Sequence, residues 1–119
     1  MDMQGIRQRC LEKKGSNEDF PFGEDIHVFK VGGKMFALLT EREGSLQLSL
    51  KCEPELAELY RKQYPAVTPG YHLNKRHWNT VIMDGSVPAD EILGMIELSY
   101  RLVYKGLRKA DRETINPST

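Results

Sequence analysis

The sequence predicts one α+β domain, an antiparallel β-sheet with helices packed mainly on one face. Three observations predict this class. Apolar residues repeat at helical spacing near both ends of the chain and once in its middle, and short apolar or alternating segments lie between them. Glycine-containing turns separate consecutive strands. The predicted order is helix, three strands, helix, strand, helix. We expect a single domain over residues 1–112 and a C-terminal tail over residues 113–119.

The first half of the chain is predicted to contain a helix over residues 3–13 and three strands. Residues 26–31 and 34–40 form a hairpin around Gly32 and Gly33, which both tolerate positive φ. The second strand is apolar at five successive positions, so we expect it to be central and covered on both sides. Its alternation assigns Met35, Ala37 and Leu39 to one face and Phe36 and Leu38 to the other. Residues 46–51 alternate as a half-solvated strand.

The second half is predicted to contain two helices and a strand. Pro54 and neighbouring glutamates suit the start of a helix that ends near Tyr64. Residues 80–84 form a strand, and Pro88 opens a last helix that extends to Leu107. That helix carries two apolar strips, which favours packing on two sides over use in a homodimer.

Composition limits the function classes. Hydrophobic residues make up 39% and charged residues 29% of 119 residues, as in ordinary globular proteins. The longest apolar run, from Met35 to Leu39, is far too short to span a membrane, and the N-terminus lacks the apolar segment of a secretory signal. A cytoplasmic protein is therefore expected. Cys10 and Cys52 have no paired spacing and are expected to be reduced, partly buried thiols.

The net charge is zero, which argues against a wholly basic nucleic-acid binder. The charges are nevertheless unevenly distributed along the chain. Residues 59–83 contain no Asp or Glu, and residues 101–112 contain five cations against Asp111 alone. The molecule could therefore present a basic face to an anionic partner. The sequence contains no clustered metal ligands, glycine-rich phosphate loop or recognisable nucleophile motif, so we expect no catalytic residue, no metal and no cofactor. An enzyme is not expected.

The segment from Pro65 to Thr80 carries most of the functional signal. A connection of this length is unusual, because most connections have about 4–6 residues. Lys75 and Arg76 could bind phosphates, and His72 and Asn74 could hydrogen-bond to a phosphate, a sugar or a base edge. Tyr71, His77 and Trp78 are flat rings suited to stacking. The structural alternative is that Trp78 belongs to the core and that Tyr71 and Leu73 anchor the loop, and we favour this alternative for all three residues.

These residues resemble the MmcQ/YjbR family of small bacterial proteins. The resemblance rests on segments spread from about residue 3 to residue 107. They are Pro21-Phe22-Gly23, Gly33-Lys34-Met35-Phe36-Ala37, Lys51-Cys52, Pro54-Glu55-Leu56-Ala57-Glu58-Leu59, His72-Leu73-Asn74-Lys75, His77-Trp78, Asp84-Gly85-Ser86, Pro88 and Ser99-Tyr100. The family is described as DNA-binding, and its fold is similar to type III secretion chaperones and to a double-wing arrangement of β-hairpins. The resemblance implies that fold and, as an expectation, that function.

Three hypotheses follow. The first is a DNA-binding protein of low sequence specificity, with hairpin turns at Gly32-Gly33 and Arg42–Gly44 as wings. Its expected contact residues are Lys51, His72, Asn74, Lys75, Arg76 and His77. The second is a protein- or peptide-binding, chaperone-like module, either monomeric or weakly homodimeric. The third is a small-molecule sensor with a pocket beneath the loop. None of the three requires a membrane.

Overall fold

Six strands and four helices make up residues 1–117, the part of the chain that the computed structural model describes. In chain order they are α1 Met3–Leu11, β1 Ser16–Asp19, β2 Ile26–Val31, β3 Lys34–Arg42, β4 Ser45–Lys51, α2 Pro54–Gln63, β5 Val67–Pro69, β6 Trp78–Ile82, α3 Ala89–Lys105 and α4 Lys109–Ile115. The strands form one antiparallel sheet in the order β1-β2-β3-β4-β6-β5. The predicted α+β class and the central position of β3 are confirmed.

The two faces of the sheet differ in what covers them. Leu39 pairs with Leu48, which pairs with Val81, and this row belongs to the core together with Ile92 and Ile96 of α3. Because side chains alternate along a strand, the neighbouring row points to the opposite face. That row contains Val28, Leu38, Ser49 and Thr80. The helices therefore pack on one face, as expected, and we call the other one the open face.

A β-bulge in β3 changes the predicted assignment of side chains to faces. Phe29 pairs with Ala37 and Lys30 pairs with Met35, so Phe36 is an extra residue without a partner. Phe36 consequently joins Ala37 in the core on the helix face. The predicted alternation is wrong at this point, and only Leu38 remains as an apolar residue of β3 in the middle of the open face.

Ser99 of α3 attaches the helix to the bulge. Its hydroxyl donates to the carbonyl of Phe36 at 2.5 Å and accepts the amide of Lys51 at 2.9 Å. Ser99 is fully buried, so its bond to Phe36 is shielded from water, and its bond from Lys51 is partly shielded. A serine in an otherwise apolar helix face is thus used to satisfy backbone groups that the bulge and the end of β4 leave without a partner.

Three elements were not predicted from the sequence. The polar edge strand β1 forms by pairing with β2, and the three-residue β5 forms by pairing with β6. Helix α4 occupies part of the segment predicted as a tail, and Ile115 packs against the core beside Gly15. The tail prediction is therefore wrong at residues 113–115, while residues 118–119 lie outside the described residues. Within residues 1–117, no helix is long and apolar enough to cross a membrane.

Strand β4 also differs from the prediction. Its polar positions were expected to face solvent, yet Gln47 is 7% and Ser49 is 8% exposed. Both lie on the open face, where the segment that follows β5 folds back over the sheet. The backbone amide of Tyr71 in that segment donates to the Thr80 hydroxyl at 3.1 Å, and Thr80 lies beside Ser49. Burial at these positions thus comes from a loop, which strand periodicity does not reveal.

Candidate nucleic-acid interface

The segment from Gly70 to His77 closes the hairpin between β5 and β6, and we call it the β5–β6 loop. Pro69 pairs with Asn79, and the amide of Gly70 donates to the carbonyl of Trp78 at 2.8 Å. A Cβ at Gly70 would lie 2.7 Å from the Cβ of Trp78. Only glycine allows this close approach, so the contact between Gly70 and Trp78 fixes the path of the backbone where the loop begins.

Hydrogen bonds inside the β5–β6 loop give it a defined shape. The carboxamide oxygen of Asn74 accepts the amide of Arg76 at 3.0 Å, which is an Asx turn. The ammonium group of Lys75 donates to the carbonyl of Gly70 at 2.9 Å. The carbonyl of His77 accepts the amide of Cys52 at 2.7 Å. The side chain of Asn74 and one donor of Lys75 are therefore engaged in the structure of the loop.

Arg61 of α2 clamps the loop from the side of the helix. Its guanidinium group donates to the carboxamide oxygen of Asn79 at 2.6 Å, to the carbonyl of Lys75, and to the carbonyl of Trp78 at 3.3 Å. Asn79 in turn donates to the carbonyl of Ala57 at 3.2 Å. We call this set of contacts the Arg61 clamp. The sequence indicated Arg61 only as a positive charge, and no local motif distinguishes a clamp from a solvated cation.

The aromatic residues of the loop divide into one anchor and one surface group. Trp78 is 8% exposed, so its predicted role as an anchor is confirmed. Leu73 is half-buried. Tyr71 is 51% exposed, and the prediction that it anchors the loop is wrong. Its ring instead covers the guanidinium group of Arg42, with 3.3 Å between the ring centre and Cζ.

The predicted contact residues do not all play the same part. Lys51 pairs with Trp78 at the start of β6, which brings Lys51 to the base of the β5–β6 loop. The side chains of Lys51, His72 and Arg76 form no hydrogen bond or ion pair within residues 1–117. His72 and Arg76 are exposed, and His72 adopts a left-handed φ of 57°. His77 is half-buried and contributes mainly through its backbone.

The second basic segment, residues 101–112, is largely neutralised by nearby acids. Arg101 pairs with Glu97 at 2.8 Å, and Arg108 pairs with Asp111 at 3.2 Å. Lys109 lies 3.9 Å from Glu113, so three of the five cations are matched by acids. Leu107, two residues after α3, lies against Gly32 at the β2–β3 turn, whereas Arg101 and Lys105 line a groove beside Cys52, whose amide donates to the carbonyl of His77. The second basic segment thus differs from the β5–β6 loop mainly in having acids paired with its cations.

The hairpin turns predicted as wings are also separated. Gly32 and Gly33 close the β2–β3 hairpin, and Glu43 and Gly44 close the β3–β4 hairpin. Turns of two successive hairpins that share a strand lie at opposite ends of that strand. The β2–β3 turn therefore lies at the same end of the sheet as the start of β6, and the β3–β4 turn lies at the opposite end.

The two cysteine side chains are buried thiols. Burial raises the pKa of Cys10 to about 12 and also raises the pKa of Cys52. Both shifts disfavour the thiolate, which is the nucleophilic form. Within residues 1–117, no three side chains from His, Cys, Asp and Glu are grouped as a metal site.

The YjbR family model matches residues 11–102. The chain belongs to the YjbR family. It is 38% identical over 121 residues to the uncharacterized protein YbdF of Escherichia coli, which covers 98% of this chain and 99% of YbdF. It is 36% identical over 115 residues to the uncharacterized protein YjbR of Escherichia coli, covering 97% and 98% of the two chains. The crystal structure of Deinococcus radiodurans protein DR2400 is similar with a TM-score of 0.87 and 43% identity, over 94% of this chain and 86% of that one.

Membership in the YjbR family confirms the resemblance seen in the sequence. The matched range contains the β5–β6 loop and ends before α4. Several of the residues that carry the resemblance have structural parts: Asn74 makes a turn, Trp78 anchors β6, and Ser99 satisfies backbone groups. These residues therefore identify the fold more directly than they identify a partner.

Proposed function

We propose that this YjbR-family protein is a DNA-binding module of low sequence specificity, and that it contacts backbone phosphates through the β5–β6 loop. The observation that carries the proposal is the combination of a braced loop with side chains that remain available. Arg76 and His72 extend from a loop that the Arg61 clamp holds in place. A loop ordered before binding loses less conformational entropy on contact with a ligand.

The charge around the loop suits a phosphate backbone. Residues 59–83 contain no acid, and Lys51 stands beside the base of the loop. Lys75 has three N–H donors and uses one of them on Gly70, which leaves two for a phosphate oxygen. Lys51, Lys75 and Arg76 can therefore supply about three phosphate contacts, a small number that predicts weak, salt-sensitive binding.

The proposed role places the protein with the chromosome, in the cytoplasm of a bacterial cell. It assigns no chemical step to any residue. Base edges are not read in this scheme, because the contacts described go to phosphates and sugars. Asn74 is not among the expected contacts, since its side chain holds the turn that presents Arg76.

Fluorescence anisotropy with a labelled duplex of about 20 base pairs tests the proposal over a salt series. The slope of log K against log salt should be about −2 to −3 for three phosphate contacts. The Lys75→Gln/Arg76→Gln variant should reduce the slope by about two. The matched control Arg108→Gln/Lys109→Gln removes the same charge from α4 and should leave the slope unchanged. No binding at low salt, or equal slopes in both variants, would refute the proposal.

A second candidate, a protein-binding module, is favoured by an apolar groove between α2 and α3. Its volume is about 240 Å³, and its lining includes Leu56, Leu98 and Leu102, with Glu53 and Arg101 at the margins. Leu98 is 42% exposed. Such a groove suits an apolar side chain of a second protein or of a second copy of this chain.

Sedimentation equilibrium over a wide concentration range, with wild type and Leu98→Glu, tests the homodimeric form of this candidate. The wild type should self-associate weakly and Leu98→Glu should remain monomeric. The exposed control Leu11→Glu, on α1, should behave as wild type. A wild-type protein that is monomeric at the highest concentration would exclude the dimer.

A further inference from the structure

The open face of the sheet carries a groove of about 490 Å³ that is separate from the phosphate-facing cations. Its floor is formed by Leu38, Thr40 and Arg42 along β3, with Ile26 and Ser49 from the two neighbouring strands. Alternation places these positions on the same face of the sheet. The volume falls within the range of about 300–1,000 Å³ that is typical of small-molecule sites.

Two loops form the walls of this open-face groove. The β1–β2 connection contributes Phe22 and Asp25, and the β5–β6 loop contributes Tyr71, His72 and Leu73. Phe22 is 57% exposed, and within residues 1–117 its ring forms no aromatic pair. Phe20 in the same connection, by contrast, packs its ring edge-on against His27 at 5.0 Å. An exposed aromatic wall opposite Leu73 is what an apolar ligand would cover.

Arg42 gives the groove a polar end with an unfilled donor. One terminal nitrogen, Nη2, donates to the carboxamide oxygen of Gln47 at 2.6 Å. The other, Nη1, is buried and has no hydrogen-bond partner within residues 1–117. A buried charged donor without an acceptor is unfavourable, and a carboxylate oxygen would satisfy it. The Tyr71 ring lies over the guanidinium group and is itself 51% exposed, so a ligand that reaches Arg42 would require this ring to move aside.

A second donor lies at the side of the floor. The hydroxyls of Ser49 and Thr80 are 2.8 Å apart, and Thr80 already accepts the amide of Tyr71. When Thr80 donates to Ser49, the Ser49 proton is free, and Ser49 lines the groove. The groove thus offers a guanidinium donor at one end and a hydroxyl donor within its floor.

We propose that the open-face groove binds a small monocarboxylate with an aromatic or aliphatic body. The body would lie on Leu38 and Ile26 against Phe22, and the carboxylate would accept hydrogen bonds from Arg42 and Ser49. Asp25 and Glu41 at the rim disfavour ligands of higher negative charge, such as phosphates or nucleic acid. This inference does not depend on the proposed DNA binding.

Heteronuclear NMR titration of the full chain tests it with phenylpropanoate, octanoate and indolepropanoate, each compared with its primary amide and with inorganic phosphate. At least one acid should give saturable shifts at residues 22–26, 38–42 and 71–73. Its amide should bind about tenfold more weakly, because the amide cannot neutralise Arg42. Phosphate should give no saturable shift at these residues.

Variants separate the groove from other surfaces. Phe22→Ala should weaken the acid about three- to tenfold, whereas the matched control Phe20→Ala should not. Arg42→Gln should abolish the preference for acid over amide. If Arg42→Gln does not fold, the proposal is still tested by comparing Phe22→Ala with Phe20→Ala and by the ratio of the wild-type affinities for acid and amide. No saturable binding by any acid, equal affinity for acid and amide, or an equal effect of both phenylalanine variants would overturn the proposal.

Discussion

The Arg61 clamp makes a specific prediction about the β5–β6 loop. Arg61→Met removes the guanidinium group and retains most of the apolar stem, so the change acts mainly on hydrogen bonds. Three acceptors lose a donor: the side chain of Asn79 and the carbonyls of Lys75 and Trp78. The loop should become less ordered while the sheet remains folded.

The size of the stability loss depends on whether each of the three acceptors finds another hydrogen-bond donor after the substitution. Asn79 is 4% exposed, so its carboxamide oxygen stays buried without a partner, which costs about 1–3 kcal/mol. The carbonyl of Trp78 keeps its hydrogen bond from the amide of Gly70, and the carbonyl of the exposed Lys75 can accept a hydrogen bond from water. We therefore expect a loss of about 2 kcal/mol in the free energy of unfolding, or a fall in Tm of about 8 °C.

Urea unfolding followed by the fluorescence of Trp78 measures the effect. Lys62→Met is the matched control, because Lys62 is the exposed neighbour on the same helix and has no side-chain partner within residues 1–117. Arg61→Lys retains the charge but not the planar fork and should recover only a minor part of the loss. If Arg61→Met and Lys62→Met differ by less than about 0.5 kcal/mol, the clamp does not stabilise the loop.

Four further variants test predictions about stability. Ser99→Ala should lower the free energy of unfolding by about 2 kcal/mol, because a buried carbonyl and a partly buried amide lose their partner; an unchanged Tm in calorimetry would contradict this. Gly70→Ala should destabilise by about 1–3 kcal/mol, since the new Cβ would lie 2.7 Å from that of the buried tryptophan. Gly94→Ala, in α3 with open space around it, should raise the free energy of unfolding by up to about 1 kcal/mol. If urea unfolding shows that both glycine variants change stability in the same direction, the close contact between Gly70 and Trp78 is not what makes Gly70→Ala destabilising. The pKa of Glu18 lies below its ordinary 4.5, mainly through the hydrogen bond from Arg7. The stability that ionised Glu18 contributes is fully present above pH 4.5 and is lost as the pH falls through the lower pKa that Glu18 has in the folded protein. Arg7→Gln should therefore reduce the acid dependence of stability, and an unchanged slope of unfolding free energy against pH would refute this.

Local patterns predicted the elements whose sequence has a strong period or a distinctive turn. The hairpin at Gly32 and Gly33, the start of α2 at Pro54 and the long apolar α3 could all be predicted in this way. Strands β1 and β5 could not, because they are short and exist through pairing with a neighbour rather than through their own composition. Similarly, the bulge at Phe36 depends on pairing across two strands, and no residue of β3 indicates it by itself.

For the candidate site, the sequence indicated where the loop lies but not which of its residues hold its structure and which are exposed. The acid-free β5–β6 loop was found from its composition, and Trp78 was rightly expected to be an anchor. The roles of Asn74 and Tyr71 depend on contacts that form only when the loop folds back on the sheet. Arg42 was assigned only to a turn, although its side chain reaches the open face.

A map of amide chemical-shift changes on addition of a short DNA duplex at low salt tests the central claim most directly. The largest changes should lie in the β5–β6 loop and at Lys51, and they should reverse when salt is raised above about 200 mM. Changes confined to the groove between α2 and α3, or no change at any salt concentration, would contradict the proposal that the loop contacts nucleic acid.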